Sequence, residues 1–263
     1  MSEAVVETKG LTKDFRGFRA VNNVDLTVAR GTIHALIGPN GAGKTTCFNL
    51  ITKVLPPTSG RIFYEGHDIT AARPHQVARM GLVRSFQISA VFPHLTVLEN
   101  VRVALQRKLG TSYHFWRAES SVAVLDGEAM DLLEQVGVAQ YARLTAGELP
   151  YGRKRALEIA TTLALEPKML LLDEPMAGMG REDIARISAL IRRVAKNRTV
   201  LMVEHNLSVV ADLSDRITVL ARGEILAEGT YAEVSSDRAV IEAYMGTGAG
   251  SAAAPAAAEA GHG

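Results

Sequence analysis

Two glycines, a lysine and a threonine follow the spacing G-x-x-x-x-G-K-[ST] in residues 38–45, which read GPNGAGKT. Glycine reaches positive φ at little cost, so such a loop can turn its backbone N–H groups towards a polyphosphate. Lys44 would reach the β- and γ-phosphates, and the Thr45 hydroxyl would bind Mg²⁺. The pattern therefore predicts a nucleotide-binding loop. Its predicted binding residues are Gly38, Asn40, Gly41, Ala42, Gly43, Lys44, Thr45 and Thr46.

Two carboxylates follow an apolar run further along the chain. Residues 169–175 read MLLLDEP, which is typical of a buried parallel strand that ends in polar groups. Open α/β sheets bind ligands at the carboxyl ends of their strands. A phosphate-binding NTPase needs a carboxylate for Mg²⁺ and a group that orients the attacking water. We assign these roles to Asp173 and Glu174.

A second strand of the same kind is predicted at residues 199–203 and ends in Glu204, His205 and Asn206. His205 is then expected at the same edge of the sheet as Asp173. Two interpretations remain open for this histidine: a structural residue, which is the commoner case, or a ligand for the γ-phosphate, which its place at the nucleotide edge favours.

The elements around these residues predict an α/β fold. Residues 32–37 predict a strand and 45–54 a helix, so the phosphate loop lies between them. Short strands at 4–9, 21–28 and 61–64 indicate an antiparallel sheet beside the parallel one. Residues 96–164 are largely helical in pattern and indicate a helical insert. Further elements are predicted as a helix at 181–195, strands at 217–220 and 224–227, and a helix at 237–244.

Composition limits the classes of protein. The net charge of +1, from 29 basic and 28 acidic residues, gives no general electrostatic argument for nucleic acid. The single cysteine, Cys47, excludes an intrachain disulfide framework. Because it follows the phosphate loop directly, a redox or nucleophilic role is one alternative, but we expect a small packed residue. The N-terminus lacks the layout of a signal peptide, and no stretch approaches the ~18 apolar residues of a membrane span. We expect a soluble chain that docks on a membrane protein.

Taken in order, these motifs resemble those of the nucleotide-binding subunit of ABC transporters over residues ~4–245. Residues 38–45 match the Walker A motif and residues 170–173 the Walker B motif. The resemblance makes Glu174 the catalytic glutamate and His205 the switch histidine. Gln87 matches the Q-loop, which implies contact with Mg²⁺ and a catalytic role. Phe15 matches the aromatic position that stacks on adenine, where only the ring is needed.

The family's signature, usually LSGGQ, is matched by residues 149–153, which read LPYGR. Tyr151 and Gly152 are therefore expected to bind the nucleotide held by an opposite subunit. Pro150 brings neither a hydroxyl nor an N–H to that contact. Gly180 stands where the family's D-loop has asparagine, which affects a contact across the dimer.

The resemblance implies a P-loop NTPase (RecA-like) fold, with a mostly parallel sheet, an antiparallel β subdomain and a helical insert subdomain. The ATPase domain is expected at residues 1–245, with the insert at about 88–165. The composition of residues 246–263 predicts a disordered Ala/Gly-rich tail.

Residues 95–101 (LTVLENV), 174–179 (EPMAGM) and 203–207 (VEHNL) resemble in particular the ATP-binding subunits of branched-chain amino-acid importers. That resemblance implies ATP and Mg²⁺, and a dimer with a second ABC ATPase subunit, either a copy or a homologue. It also implies transmembrane permease subunits docked at Gln87 and residues 89–95, and indirectly a periplasmic or extracellular solute-binding protein. The expected location is the cytoplasmic face of the inner membrane, as a peripheral subunit.

Other functions remain open at this point. Importers of urea, amides or aromatic acids belong to the same subfamily. A non-transport ABC ATPase that acts on DNA or ribosomes would use residues 153–155 (RKR) and 192–193 (RR) as basic patches, although near-neutral charge argues against nucleic acid. A small-molecule kinase would leave the signature and His205 unexplained.

Overall fold

The computed structural model describes residues 3–85, 91–106 and 125–245. The strands are β1 (Ala4–Phe15), β2 (Phe18–Val24), β3 (Thr27–Ala29), β4 (Ile33–Ile37), β5 (Ser59–Tyr64), β6 (His67–Asp68), β7 (Leu82–Ser85), β8 (Met169–Asp173), β9 (Thr199–Val203), β10 (Arg216–Ala221) and β11 (Glu224–Gly229). The helices are α1 (Lys44–Ile51), α2 (Pro74–Arg79), α3 (Val97–Leu105), α4 (Asp126–Val136), α5 (Tyr151–Leu163), α6 (Arg181–Ala195), α7 (Leu207–Leu213), α8 (Tyr231–Ser236) and α9 (Arg238–Met245).

The larger sheet has the strand order β11-β10-β4-β9-β8-β7. Its five strands from β10 to β7 are parallel to their neighbours, and β11 is antiparallel to β10. Val203 of β9 pairs with Leu36 on one side and with Asp173 on the other. The carboxyl ends of β4, β9 and β8 therefore lie next to one another, as the sequence predicts.

The second sheet is antiparallel and has the order β2-β1-β5-β6, with β3 also paired to β1. β1 is longer than its predicted span of 4–9 and reaches Phe15 before a tight turn into β2. Arg16 and Gly17 form that turn with φ values of 46° and 94°. The length of β1 depends on its pairing with β2, β3 and β5, and local residue types do not specify this pairing.

Each face of the central sheet covers its own core. Along β4, Ala35 and Ile37 pack among the helices α3 to α6, while Leu36 packs on the opposite face with Phe48 of α1 and residues of the antiparallel sheet. Side chains alternate between the faces of a strand, so a strand that is covered on both sides is apolar throughout. All five residues of β4 are buried, and four of them are apolar; the exception in polarity is His34.

Most of the predicted helices are confirmed, and α6 has the predicted bounds. α7 and α8 are not predicted because they are short. Each begins with a recognisable cap: the Asn206 side chain accepts from the N–H of Ser208 and Val209, and Thr230 and Glu233 form a capping box. The spacing T-x-x-E at residues 230–233 is a sequence signal for α8.

Between β7 and β8 the described residues contain α3, α4, α5 and two short 3₁₀ helices at Ala139–Tyr141 and Ala146–Glu148, with no strand. The proposed bounds of the insert and the tail at 246–263 stay predictions, since 86–90, 107–124 and 246–263 lie outside the described residues.

Candidate nucleotide-binding site

The loop between β4 and α1 is formed by glycines at positions where a side chain would not fit. Gly38 and Gly43 have φ values of 146° and 100°. A Cβ on Gly38 would lie 2.0 Å from the Leu220 carbonyl oxygen, and one on Gly43 would lie 2.4 Å from that of Ala20. Gly41 has open space but also a positive φ of 77°. The neighbouring backbone of β10 and β2 thus fixes the shape of the loop.

The loop leads directly into α1, and no side-chain hydrogen bond caps the start of this helix. The Cys47 N–H donates to the Gly43 carbonyl at 2.8 Å, so the amides of Lys44, Thr45 and Thr46 precede the first such bond. Amides at the start of a helix, together with its dipole, favour an anion. Asn40 and Thr45 are exposed here and Thr46 is half-buried. These residues fit a polyphosphate group.

The side chain of Lys44 folds back along the loop. Its Nζ donates to the carbonyl oxygens of Gly38 at 2.6 Å and of Pro39 at 3.0 Å. Burial lowers the pKa of Lys44, and the nearby carboxylates of Glu174 and Asp173 oppose that shift. The ammonium group and the two predicted acids therefore occupy one electrostatic environment.

Asp173 ends β8 and is almost completely buried. Its Oδ2 accepts a hydrogen bond from Arg84 Nη2 at 2.5 Å, and Arg84 Nη1 donates to Asn49 Oδ1 at 2.5 Å. Arg84 and Asn49 are absent from the predicted site. The only sequence signal for Arg84 is a charged residue inside the apolar strand β7.

Glu174 and His205 follow the ends of the neighbouring strands β8 and β9. The φ value of Glu174 is 44°, a left-handed conformation that is uncommon for a residue with a side chain. Its N–H donates to the Val203 carbonyl at 2.9 Å, which holds the turn against β9. His205 Nδ1 lies 4.0 Å from Glu174 Oε1, and its side chain is 61% exposed.

Glu204, next to His205, is a further residue that the predictions do not include. It is fully buried. Its Oε1 accepts from the Met176 N–H at 3.0 Å, and its Oε2 accepts from the N–H groups of His205 at 3.1 Å and Asn206 at 3.3 Å. One carboxylate therefore ties the segment after Glu174 to the segment that carries His205.

Phe15 lies at the tip of the β1–β2 hairpin and is 41% exposed. The ammonium group of Lys13 lies 5.3 Å from the centre of its ring. The same hairpin reaches the phosphate loop, because the backbone of Ala20 is in contact with Gly43. An aromatic ring on this hairpin is available to a planar group bound beside the loop.

The predicted signature residues lie at the start of α5. Tyr151 is 57% exposed, whereas Gly152 is buried against Asp183, whose Cγ would lie 2.4 Å from an added Cβ. In the described part of the chain, no hydrogen bond connects Tyr151 or Gly152 to the phosphate loop. Arg155 of the same helix donates to the Asp173 carbonyl at 3.0 Å, which joins α5 to the end of β8.

Of the two remaining predicted positions, Gly180 lies within the described residues and Gln87 does not. Gly180 precedes α6 with an extended backbone, at φ −74° and ψ 165°. Gln87 lies outside the described residues.

The residues at the sheet edge suit Mg²⁺ that is held partly by a nucleotide. Among the described residues, no group of three or more His, Cys, Asp or Glu could hold a metal ion alone. Asp173 and Thr45 provide one carboxylate and one hydroxyl, both oxygen ligands that Mg²⁺ prefers. A cation in such a site completes its coordination with water and phosphate oxygens.

Two protein families match this chain. The ABC transporter family matches residues 21–177, and the family described as branched-chain amino acid ATP-binding cassette transporter matches residues 224–250. A relative in Pseudomonas aeruginosa, the high-affinity branched-chain amino acid transport ATP-binding protein BraF, is 39% identical over 260 residues. That match covers 94% of this chain and 99% of the relative.

Solved structures agree. The ADP conformation of MJ1267, an ATP-binding cassette of an ABC transporter, has a TM-score of 0.82 and 32% identity, covering 93% of this chain and 100% of the other. The dimeric structure of MJ0796, a bacterial ABC transporter cassette, has a TM-score of 0.71 and 25% identity. The match covers 86% of this chain and 98% of the MJ0796 chain.

The chain belongs to the ABC transporter family and is one of its ATP-binding subunits, an ATPase with the P-loop NTPase fold. The predicted family and fold class are confirmed. In the ranges that the structure describes, no helix is long and apolar enough to cross a membrane.

Proposed function

We propose that this chain is the ATP-hydrolysing subunit of an ABC importer that powers uptake of branched-chain amino acids or related small solutes. The observation that supports hydrolysis most directly is the edge where β4, β8 and β9 end together. Asp173 is the last residue of β8, and the phosphate loop, Glu174 and His205 come just after the ends of β4, β8 and β9. The named activity of the relative BraF and the match at residues 224–250 support the solute class.

The chemistry follows from the placement of the side chains. Lys44 and the backbone N–H groups of residues 38–46 other than Pro39 would bind the phosphates of ATP, and Phe15 would stack on the adenine. Asp173 and Thr45, with Gln87, would hold Mg²⁺, which would offset negative charge on the phosphates. Glu174 would orient the attacking water and accept its proton, while His205 would contact the γ-phosphate.

We further propose that the complete site needs two subunits. One chain carries one phosphate loop and one signature segment, and no hydrogen bond connects them within the described residues. Tyr151 and Gly152 would therefore meet the γ-phosphate bound by a second ABC ATPase subunit. The dimeric form of the relative MJ0796 supports this arrangement. ATP would hold the dimer closed, and loss of the γ-phosphate would release it.

The transport role needs partners with membrane spans. We propose that transmembrane permease subunits dock on this chain at the cytoplasmic face of the inner membrane, with a solute-binding protein as an indirect partner. Most arginines of the basic patches that a nucleic-acid function would use make contacts within the fold. Arg155 pairs with Glu158 at 2.6 Å, Arg192 with Asp212 at 2.5 Å, and Arg193 donates to the Gln135 carbonyl at 2.9 Å.

The test of hydrolysis is the variant Glu174→Gln. It should bind ATP, barely hydrolyse it and accumulate as an ATP-bound dimer, measured by phosphate release and size-exclusion chromatography. The matched control is Glu148→Gln, which changes an exposed glutamate of the helical region. Near-normal turnover in Glu174→Gln would remove the catalytic role from that residue.

The solute is tested by uptake of labelled leucine in a strain that lacks the gene. The wild-type chain should restore uptake, and Glu174→Gln should not. Restored uptake of urea, an amide or an aromatic acid, with leucine uptake unchanged, would move the function to those alternatives.

A further inference from the structure

Arg84 places a positive charge inside the fold, beside the site. It lies on β7 between Val83 and Ser85, and its side chain is only 13% exposed. Side chains alternate along a strand, so Arg84 shares a face with Leu82, which packs in the core beneath α1. The guanidinium group therefore lies between the central sheet and the helix that begins at Lys44.

Its contacts connect the two halves of the proposed site. Arg84 Nη2 donates to Asp173 Oδ2, and Nη1 donates to Asn49 Oδ1, both at 2.5 Å. The guanidinium carbon also lies 5.8 Å from the centre of the Phe48 ring. Asn49 and Phe48 belong to α1. One planar cation thus joins the helix of the phosphate loop to the carboxylate at the end of β8.

The buried ion pair of Arg84 and Asp173 is not explained by fold stability alone. Burial of an ion pair removes water from both charges, and a well-packed apolar pair is often as stable. Arg84 Nε is buried and has no hydrogen-bond acceptor among the described residues. Within the same residues, the hydrogen bond from Arg84 goes to Oδ2 of Asp173, and no hydrogen bond is made to Oδ1.

We propose that Arg84 is a positioning residue for the Asp173 carboxylate: it holds Oδ2, so that Oδ1 would be the atom available to bind the Mg²⁺ of Mg-ATP. This inference rests on the proposed role of Asp173 as a metal ligand. Groups that orient a metal-binding carboxylate commonly contribute 10- to 100-fold to metal affinity. Arginine suits the task because its rigid fork can bond Asp173 and Asn49 at the same time, whereas lysine is a point charge.

The direction in which removal of Arg84 changes metal affinity distinguishes a positioning role from simple competition between two positive charges. If Arg84 only competed with the metal for Asp173, its removal would strengthen metal binding. If it orients Oδ1, its removal weakens metal binding despite the loss of a repelling charge.

The experiment measures Mn²⁺ binding by electron paramagnetic resonance in the presence of AMP-PNP, and AMP-PNP binding in EDTA. Arg84→Met should bind Mn²⁺ about 10- to 100-fold more weakly. Its AMP-PNP affinity without metal should stay within about 2-fold of wild type, since the phosphate loop is intact. Arg84→Lys retains the charge and should lose about 3- to 10-fold in Mn²⁺ affinity, because an ammonium group cannot bond Asp173 and Asn49 as a rigid fork does.

The matched control is Arg102→Met, which removes another partly buried pair, with Asp126, on α3 and α4. It should leave Mn²⁺ affinity unchanged. Asp173→Asn completes a double-mutant cycle. Arg84→Met should add no further loss in that background, because it acts through Asp173.

Unchanged or tighter Mn²⁺ binding in Arg84→Met and in Arg84→Lys would overturn the inference, as would equal losses with and without Asp173. If Asp173→Asn itself binds Mn²⁺ like wild type, the proposed metal role of Asp173 fails instead. The two failures are therefore distinguishable.

Discussion

His205 and Glu174 meet across the ends of two adjacent parallel strands, with 4.0 Å between the imidazole Nδ1 and the carboxylate Oε1. The two residues are 31 positions apart in the chain, and the pairing of Asp173 with Val203 brings them together. The proposed water-orienting group and the proposed γ-phosphate ligand are therefore neighbours on one rigid sheet edge.

The variant His205→Ala should hydrolyse ATP at least about 100-fold more slowly than the wild type. This is the range typical for loss of a group that acts on the reacting atoms. ATP affinity should change by less than about 3-fold, because the phosphate loop provides most contacts to the phosphates. Phosphate release and binding of a fluorescent ATP analogue measure the two quantities. His67→Ala is the control, since His67 is an exposed residue of β6. Equal hydrolysis rates in the two variants would contradict the role of His205.

Glu204→Gln should destabilise the fold and slow hydrolysis. The Glu204 carboxylate accepts three backbone N–H groups, and an amide would turn hydrogens towards at least one of them. The loss of a buried charged acceptor predicts a fall of roughly 2–4 kcal/mol in the free energy of unfolding. Urea denaturation measures this value.

The control for that variant is again Glu148→Gln, which changes an exposed glutamate that accepts the Thr145 N–H. Its free energy of unfolding should fall much less than that of Glu204→Gln. If Glu204→Gln were as stable as this control, the three hydrogen bonds would contribute little.

His34 makes stability depend on pH. Burial lowers its pKa from 6.5 to about 4, with a smaller contribution from Arg216. The unfolded chain therefore binds a proton between pH 6.5 and 4 that the folded chain does not, so stability falls as pH decreases through this range. The loss of folding stability is complete below about pH 4, where it amounts to about 3 kcal/mol, and it is nearly absent above pH 6.5.

Denaturation of the wild type and His34→Gln at pH 7, 6 and 5 measures this contribution. The variant should start less stable at pH 7, because it loses the hydrogen bond between His34 Nε2 and Thr218. It should then lose less stability than the wild type on acidification. Identical pH slopes in the two proteins would contradict the assignment to His34.

Cys47 should be unreactive while the protein is folded. Its side chain is fully buried on α1, and burial raises the pKa of the thiol to about 12. Since the thiolate is the reactive form, DTNB should modify the native protein at least about 100-fold more slowly than the denatured protein. Cys47→Ala should retain ATP hydrolysis. Rapid labelling of the native chain, or an inactive Cys47→Ala that folds, would support the redox or nucleophilic role instead.

Local patterns were enough to predict much of the fold. The bounds of α6 and β9 and the strand at Met169–Asp173 agree with the predictions, since each is a continuous segment with a clear apolar period. The long hairpin of β1 and the short helix α7 were harder to predict. Their extent depends on strand pairing and capping rather than on hydrophobic pattern.

The sequence by itself determined the phosphate loop, the acids at the end of β8 and the position of His205. Each lies in a short continuous segment whose residue types and spacing indicate its chemical role. Only the tertiary structure decided that Arg84 bonds Asp173, 89 residues away, and that Glu204 bonds Met176, 28 residues away. These partners meet through the register of parallel strands and the packing of α1 on the sheet. No local pattern encodes such contacts, since they form only when distant segments have already folded against each other.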